Sequence, residues 1–177
     1  NKTGAVFDKR KLDWVNGHYV RDMAPEDLAK EIKPYMVKSG LVDEDYSDHN
    51  LLLLANTWQS AIDKFSDAPE LSKNYYLDDD RIDWQEEARE VLKEEDTKKL
   101  INAYLAKLDQ VDEIDEEFAG SIMKTIQKET GIKGKNLWFP IRAAITGSVH
   151  GPDLSSVMVL MGKEKIAERL NYVKENF

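Results

Sequence analysis

Apolar residues recur at intervals of three and four along most of this chain. Leu51, Leu54, Trp58, Ile62 and Phe65 form one such series, and that spacing places their side chains on one face of an α-helix. Strands would instead show a sustained alternation of apolar and polar residues, which the 177 residues do not contain. The sequence therefore predicts an all-α protein.

Proline, acidic residues and glycine divide this pattern into separate helices. Proline and carboxylates favour a first helical turn, and glycine tolerates the left-handed turn that ends a helix. On these signals we predict helices over residues 8–16, 25–40, 48–65, 84–92, 97–108, 115–131 and 136–145. A brief helical stretch passes through Leu71 and Tyr75, and two short helices open at Pro152 and near Lys163.

The acidic cluster Asp78-Asp79-Asp80 separates two groups of predicted helices. Like the acidic stretch at residues 112–117, it is interpreted as a solvated helix start that complements the helix dipole. We therefore predict two consecutive helical bundles, over residues 25–82 and 83–177, preceded by a short helical segment at residues 1–24.

Composition excludes several classes of protein. The chain has no cysteine, so neither a disulfide framework nor a thiolate zinc site can form, and a reducing compartment is favoured. No apolar run approaches the roughly 18–20 residues of a membrane span, so we expect no membrane partner. About two-fifths of the residues are apolar, which is sufficient for a folded core.

Charge is distributed unevenly along the chain. Its formal net charge is −9, which argues against nucleic acid if the chain is taken whole, because phosphate binding needs clustered cations. Residues 40–120 hold 23 acidic and 8 basic side chains, but residues 121–177 hold 5 acidic and 9 basic ones. Only the last third is therefore a plausible polyanion-binding surface.

No motif of a self-contained active site is present, so we predict neither catalytic residues nor a metal site. His18, His49 and His150 are far apart and lie beside turn residues, where exposure is the default. Five aromatic residues fall on apolar helix faces and are expected in the core: Trp14, Trp58, Trp84, Tyr104 and Phe118.

The segment 131–154 combines glycines, cations and aromatic residues. Single-stranded bases are bound by stacking on rings or guanidinium planes, by hydrogen bonds to base edges, and by backbone that small residues leave accessible. A helix starting near Asn136 places Arg142 about one turn after Trp138, on the same face. Unpaired N–H groups of the helix that follows the loop 148–154 could add donors. The alternative is a capped helix and tight loop in which Arg142 only forms an ion pair.

This segment resembles the C-terminal signature of bacterial glutamyl-tRNA synthetases. The resemblance runs from Gly134 through residues 140–147 to residues 151–154, and continues at 160–165 and 169–170. A second stretch, in residues 5–8, 11–14, 16–17 and 19–21, is similar to the region that follows the catalytic domain in that family. Both occur in the family's order, and the resemblance covers essentially the whole chain.

The resemblance implies a ligase that activates glutamate with ATP and esterifies the 3′-end of its tRNA. In the family this chemistry, with its ATP and Mg, belongs to a catalytic domain with HIGH-like and KMSKS-like motifs. Neither motif occurs in this sequence, so we expect the chain itself to be catalytically inactive and to hold no cofactor. The implied fold is an α-helix cage of two bundles after the end of a stem-contact segment (residues 1–24). The implied partner is tRNA-Glu, bound by a cytoplasmic monomer.

The resemblance also assigns RNA-binding residues. Arg142 and Lys124 match basic residues that face the first two anticodon bases in the family. Four further positions match residues that line the base pockets, the last three of them through main-chain contacts: Phe139, Gly151, Pro152 and Leu154.

The chain departs from the family at the third anticodon base. Members that discriminate between glutamate and glutamine tRNAs read it with an arginine, and the matching position here is Ala61. Gln59 is the closest polar side chain, and no arginine occurs between Arg21 and Arg81. We therefore include Gln59 and Ala61 among the predicted RNA-binding residues. Binding of tRNA-Gln as well as tRNA-Glu therefore stays open.

Two other functions remain as alternatives. A helical protein-interaction module without an RNA role would agree with the net negative charge and the acidic middle of the chain. An anticodon-binding domain of a related lysyl-type synthetase would share the helical fold but bind a different tRNA.

Overall fold

The structure, a computed structural model, describes residues 9–177. In that range it contains α-helices, one 3-10 turn at Asp79–Arg81 and no strand, which confirms the all-α prediction. The helices are α1 Lys9–Asp22, α2 Pro25–Lys38, α3 Asp48–Trp58, α4 Asp67–Tyr76, α5 Glu86–Leu92, α6 Glu95–Leu108, α7 Glu116–Thr130, α8 Lys135–Thr146 and α9 Leu154–Asn176. None of these is both long and apolar enough to cross a membrane. The predicted cap Asp8 and the family-like residues 5–8 lie outside the described residues.

The chain divides into two compact units, unit 1 ending at Ser72 and unit 2 spanning Lys73–Phe177. This division precedes the predicted boundary at residues 82 and 83, and α1 belongs to unit 1 rather than to a separate segment. Residues 74–79 belong to unit 2 because they bond to its helices: the Asn74 amide donates to the Thr146 carbonyl at 3.0 Å, and Asp79 accepts from Arg169 at 2.6 Å.

Unit 1 is built on α2 and α3, which pack through buried apolar side chains: Leu28, Ile32, Met36, Leu51 and Leu54. α2 begins at Pro25 as predicted, since proline needs no N–H bond in a first turn.

Helix ends in unit 1 differ most from the prediction at three places. α1 continues through Gly17 to Asp22, because Gly17 is a buried helical position beside the Asp63 and Arg21 side chains rather than a turn. α3 ends at Trp58, although Ile62 beyond it is still buried. α4 begins at Asp67, before the brief helical stretch that was predicted through Leu71 and Tyr75. The Asp67 carboxylate accepts from the backbone N–H groups of residues 63 and 64.

Unit 2 packs α6 against α7, α8 and α9, and α5 against α8. Asp115 caps α7 by accepting from the Phe118 N–H at 2.8 Å, and Gly131 ends it in a left-handed conformation, as predicted. α9 is interrupted at Gly162 (φ 76°, ψ 171°), which agrees with two predicted helices meeting near Lys163. The core of unit 2 includes the buried side chains Leu100, Ile101, Ile122, Ile141, Val157 and Leu170.

The aromatic residues predicted for the core separate into three groups. Trp58, Trp84 and Tyr104 are buried, as predicted, and Phe118 is half-buried. The prediction is wrong for Trp14, which is 62% exposed. Its ring lies edge-on to His18 at 4.3 Å on an outward face of α1, because the apolar spacing of α1 does not correspond to a buried stripe.

Arg169 is fully buried in unit 2. Its guanidinium donates to the Asp79 carboxylate and to three backbone carbonyls: those of Ile145 at 2.8 Å, Asn74 at 2.9 Å and Leu77 at 3.2 Å. Burial lowers the pKa of Arg169, and the hydrogen bond and charge of Asp79 act in the opposite direction. A buried cation is stabilised only when its donors are bonded in this way.

Candidate nucleic-acid interface

α8 presents the aromatic and cationic residues of the candidate interface. Gly134 (φ 62°) precedes the helix and Gly147 (φ 79°) ends it, a conformation that glycine tolerates best. Leu137 and Ile141 face the core, whereas Trp138 is 42% exposed. Pro140 is buried within the helix, beyond its first turn. The buried face thus fixes the orientation of the residues on the opposite side.

Arg142 is half-buried and bonded to the loop that follows its helix. Its Nη1 donates to the Pro152 carbonyl at 2.8 Å. A Cβ on Gly151 would lie 3.3 Å from the same nitrogen, so glycine leaves room for the guanidinium. Burial lowers the pKa of Arg142, while Tyr75 and Asp153 act to raise it. An arginine remains charged under such conditions, and the bond to Pro152 uses one of its five N–H donors.

The loop between α8 and α9 is held by its own side chains. The Thr146 hydroxyl donates to the Arg142 carbonyl at 2.9 Å and accepts from the Ser148 N–H at 3.2 Å. Asp153 caps α9 by accepting from the Ser156 N–H at 2.9 Å. This bond takes one of the helix N–H donors that the sequence left available for RNA.

Three predicted pocket residues lie in or beside this loop, with different exposure. Gly151 is exposed and Pro152 is half-exposed. The Leu154 side chain is only 1% exposed, so only its main chain could contact a ligand. The structure therefore brings Arg142, Gly151 and Pro152 together.

Phe139 lies in an aromatic and cationic group at the same end of unit 2. Its ring is edge-on to His150 at 6.0 Å, and the Lys135 ammonium lies 5.6 Å from its centroid. His150 is exposed, as predicted, and its Nε2 lies 3.5 Å from a Glu87 carboxylate oxygen. Rings with cations beside them are suited to stacking on nucleic-acid bases.

Lys124 is exposed on α7, and α7 packs against α8. Both helices belong to unit 2, so Lys124 and Arg142 lie on adjacent elements of one bundle. An exposed lysine acts as a mobile point charge, which suits phosphate better than a base edge.

The other two predicted residues, Gln59 and Ala61, lie in unit 1. The Gln59 amide nitrogen donates to the carbonyls of Met23 at 2.8 Å and Val20 at 3.0 Å. It thereby caps the C-terminal end of α1, where helix carbonyls lack partners within the helix. Ala61 is exposed and has no side-chain donor, so no base-reading group stands at this position.

Sequence reasoning missed three residues that shape the interface. Tyr75 is 6% exposed; burial raises its pKa, and the charge of Arg142 lowers it. Lys135 was counted among the cations but was not expected over the Phe139 ring. Asp153 both caps α9 and faces Arg142. An Asp two residues after a glycine and before an apolar run is a helix-cap signal that could have identified the last of these.

Comparison with known proteins gives the family to which this fold belongs. A family model described as "Anticodon binding domain" matches residues 27–174. The chain belongs to this family of helical anticodon-binding domains.

Its relatives are glutamate–tRNA ligases. One from Finegoldia magna is 43% identical over 175 residues, which is 97% of this chain and 34% of the relative. One from Bacillus cytotoxicus is 34% identical over 98% of this chain and 36% of the relative. The chain thus spans about a third of the length of the curated relatives it matches, in their C-terminal part.

Solved structures show the same fold. A glutamate tRNA ligase from Elizabethkingia meningosepticum, crystallised in complex with its amino acid, superimposes with a TM-score of 0.84. The match covers 99% of this chain and 34% of that one, at 21% identity. At that identity the likeness shows the helical architecture alone, and the functional argument depends on the family and on the interface residues.

Proposed function

We propose that this chain binds the anticodon loop of tRNA-Glu as part of a glutamate–tRNA ligase. The family supports anticodon binding, and the relatives support the choice of tRNA. The observation that carries the proposal is the placement of Arg142: its guanidinium is half-buried and held at 2.8 Å on the Pro152 carbonyl, beside the exposed Gly151.

This placement suits recognition of unpaired bases. A charged guanidinium offers donors in one plane that match acceptor pairs on base edges, and its bond to Pro152 reduces the side-chain entropy lost on binding. The Phe139 ring supplies a stacking surface. Lys124 supplies charge on the adjacent α7, and the main chain at Gly151 is open to close approach.

The remaining features of the proposal concern the whole enzyme. The ATP- and Mg-dependent formation of glutamyl-tRNA would be carried out by a catalytic domain, while this chain needs no cofactor of its own to bind RNA. We propose that the protein acts in the cytoplasm as a monomer. tRNA-Gln is a second candidate substrate, because Ala61 provides no donor for the third anticodon base.

Binding of a labelled anticodon stem-loop of tRNA-Glu to the 177-residue chain tests this proposal. Fluorescence anisotropy at low salt should show saturable binding that weakens as salt rises, since phosphate contacts release counterions. Arg142→Ala should weaken binding by about 1–3 kcal/mol, the cost of one base contact. Arg81→Ala is the matched control, because Arg81 is an exposed arginine of the same unit that lies in the 3-10 turn.

Each competing function gives a different result in this experiment. A protein-interaction module would show no saturable RNA binding. A lysyl-type domain would bind the stem-loop of tRNA-Lys more tightly than that of tRNA-Glu. Equal and small effects of Arg142→Ala and Arg81→Ala would remove Arg142 from the site.

A further inference from the structure

The last two carbonyls of α8 and the carbonyl of its cap residue Gly147 are each bonded by a different group from outside the helix. The Ile145 carbonyl accepts from Arg169 Nη1 at 2.8 Å, and the Thr146 carbonyl accepts from Asn74 Nδ2 at 3.0 Å. The Gly147 carbonyl accepts from the Gln85 N–H at 2.9 Å. A helix end normally leaves such carbonyls to water or to a single cap. Three consecutive partners instead fix the position and direction in which the chain leaves α8.

The groups that provide these bonds are themselves connected. Asn74 also exchanges hydrogen bonds with the backbone of Asp83, at 3.2 and 3.3 Å. Arg169 also bonds the Asn74 and Leu77 carbonyls and the Asp79 carboxylate. The segment from Asn74 to Gln85 and Arg169 thus form one hydrogen-bond network at the C-terminal end of α8.

The candidate interface begins directly at this end. The Ser148 hydroxyl donates to the Gln85 side-chain oxygen at 2.8 Å and accepts from the His150 N–H at 3.1 Å. Arg142 lies one turn before the end of the helix, and the Pro152 carbonyl that holds it lies just after the loop. The distance between these two groups therefore depends on how the loop 148–151 leaves α8.

We propose that Asn74, supported by its bonds to Arg169 and through it to Asp79, is a positioning residue for RNA recognition: it fixes the end of α8, so that Arg142, the loop 148–151 and the Pro152 carbonyl after it keep their relative positions. This inference rests on the proposed function and adds the part of the molecule that holds the site. Asn74 does not contact RNA in this arrangement. It acts through the Thr146 carbonyl, and its loss allows the loop and Arg142 to move apart.

Asn74→Ala is the variant of choice, because Arg169→Ala would remove the partner of the half-buried Asp79 carboxylate and would combine a large loss of stability with any loss of positioning. The matched control is Val173→Ala, which removes buried methyl groups from α9. Both variants are compared at a temperature well below either unfolding midpoint. Asn74→Ala should weaken binding of the tRNA-Glu anticodon stem-loop by about threefold to tenfold, the range expected for a residue that acts through others. Val173→Ala should leave affinity unchanged.

A double-mutant cycle separates positioning from loss of stability. If Asn74 acts through Arg142, then Asn74→Ala should cause little further loss of affinity in the Arg142→Ala background. Additive losses, or equal losses for Asn74→Ala and Val173→Ala, would overturn the inference.

Hydrogen exchange tests, without RNA, whether Asn74 holds the loop that follows α8. The amides of Ser148 and His150 should exchange faster in Asn74→Ala than in Val173→Ala, because their acceptors move with the end of α8. Faster exchange in Asn74→Ala with unchanged RNA affinity would show that Asn74 holds the loop but that this has no role in recognition. That result would overturn the inference and leave the proposed function intact. No effect of Arg142→Ala on binding would instead count against the proposed function.

Discussion

Arg142 in unit 2 and Gln59 in unit 1 were both predicted to contact the anticodon, and both bond to backbone carbonyls. Arg142 bonds the Pro152 carbonyl of the predicted pocket itself and has further donors in its guanidinium. Gln59 directs its amide nitrogen to the end of α1, and Ala61 beside it has no donor. Unit 2 therefore holds a polar side chain on the loop after α8 with further donors available, whereas unit 1 bonds its polar side chain to a helix end.

The arginine–aspartate pairs of the two units also differ, in how far their side chains are exposed. Arg169 and Asp79 form a pair whose side chains are 0% and 16% exposed, at 2.6 Å. Arg21 and Asp63 form a pair that is 36% and 49% exposed, at 3.3 Å. Breaking a largely buried pair leaves a poorly solvated charge without its partner, but an exposed pair is solvated when broken. Structure around the interface should therefore depend strongly on its pair, and unit 1 only weakly on its own.

The largest expected effect is a loss of stability in unit 2, and it follows from the burial of the Arg169–Asp79 pair. Arg169→Met should destabilise unit 2 by about 3–5 kcal/mol, because it removes the partner of Asp79 and the donors to three carbonyls. Arg21→Met, the matched change in unit 1, should cost less than about 1 kcal/mol. Hydrogen exchange resolved by segment measures the stability of each unit separately. Similar costs in both units would contradict the distinction between buried and exposed pairs.

Two glycines with left-handed backbone give the next largest effect. Gly147 ends α8 with φ +79°, and a Cβ there would lie 2.9 Å from Asn74 Nδ2 and 3.2 Å from the Asp83 carbonyl oxygen. Gly40 in unit 1 has φ +74° and no atom within 4 Å of an added Cβ. Gly147→Ala should therefore cost about 3 kcal/mol, from both strain and crowding. Gly40→Ala should cost about 1 kcal/mol, from strain alone.

Urea unfolding of the two glycine variants provides the measurement. Equal losses would mean that the residues around Gly147 move aside easily. In that case the end of α8 would be less firmly held than its hydrogen bonds indicate.

Local signals in the sequence were sufficient for much of this fold. Asp115, Gly131 and Gly147 act on their immediate neighbours, so their roles as helix cap and helix ends follow from residue type. Residues whose partners are distant in sequence could not be predicted in this way. Arg169 and Asn74 bond groups up to 95 and 72 positions away, and nothing next to them indicates this.

For the candidate site, the sequence supplied a location but not the contacts between its residues. The mixture of glycine, cation and ring in residues 131–154 indicated where RNA could bind, and the resemblance assigned Arg142. The bond between Arg142 and Pro152 depends on the path of the loop, which residue spacing does not determine. Gln59 shows the converse: its polarity suggested base recognition, but the unexpected continuation of α1 to Asp22 places carbonyls beside it.

Replacing Gln59 tests whether this side chain stabilises unit 1 or contacts RNA. Gln59→Ala should destabilise unit 1 by about 1 kcal/mol, through loss of the bonds to the end of α1. It should not change the affinity for the tRNA-Glu stem-loop. Asn56→Ala is the control, since Asn56 is exposed on α3 and its replacement should be close to neutral. A loss of RNA affinity without a loss of stability would show that Gln59 contacts RNA after all.

The smallest expected effect concerns the missing donor at Ala61. Ala61→Arg places a guanidinium at an exposed position, and under the proposed function this group would be available to the third anticodon base. Because a long exposed side chain loses conformational entropy on binding, we expect the preference for the tRNA-Glu over the tRNA-Gln stem-loop to rise only about threefold. Ala61→Met adds similar length without charge and should leave the preference unchanged. Competition between the two stem-loops measures the ratio directly. If the unchanged chain already prefers tRNA-Glu strongly and Ala61→Arg adds nothing, then the third base is read by other residues, and unit 1 contributes more to recognition than the contrast with unit 2 implies.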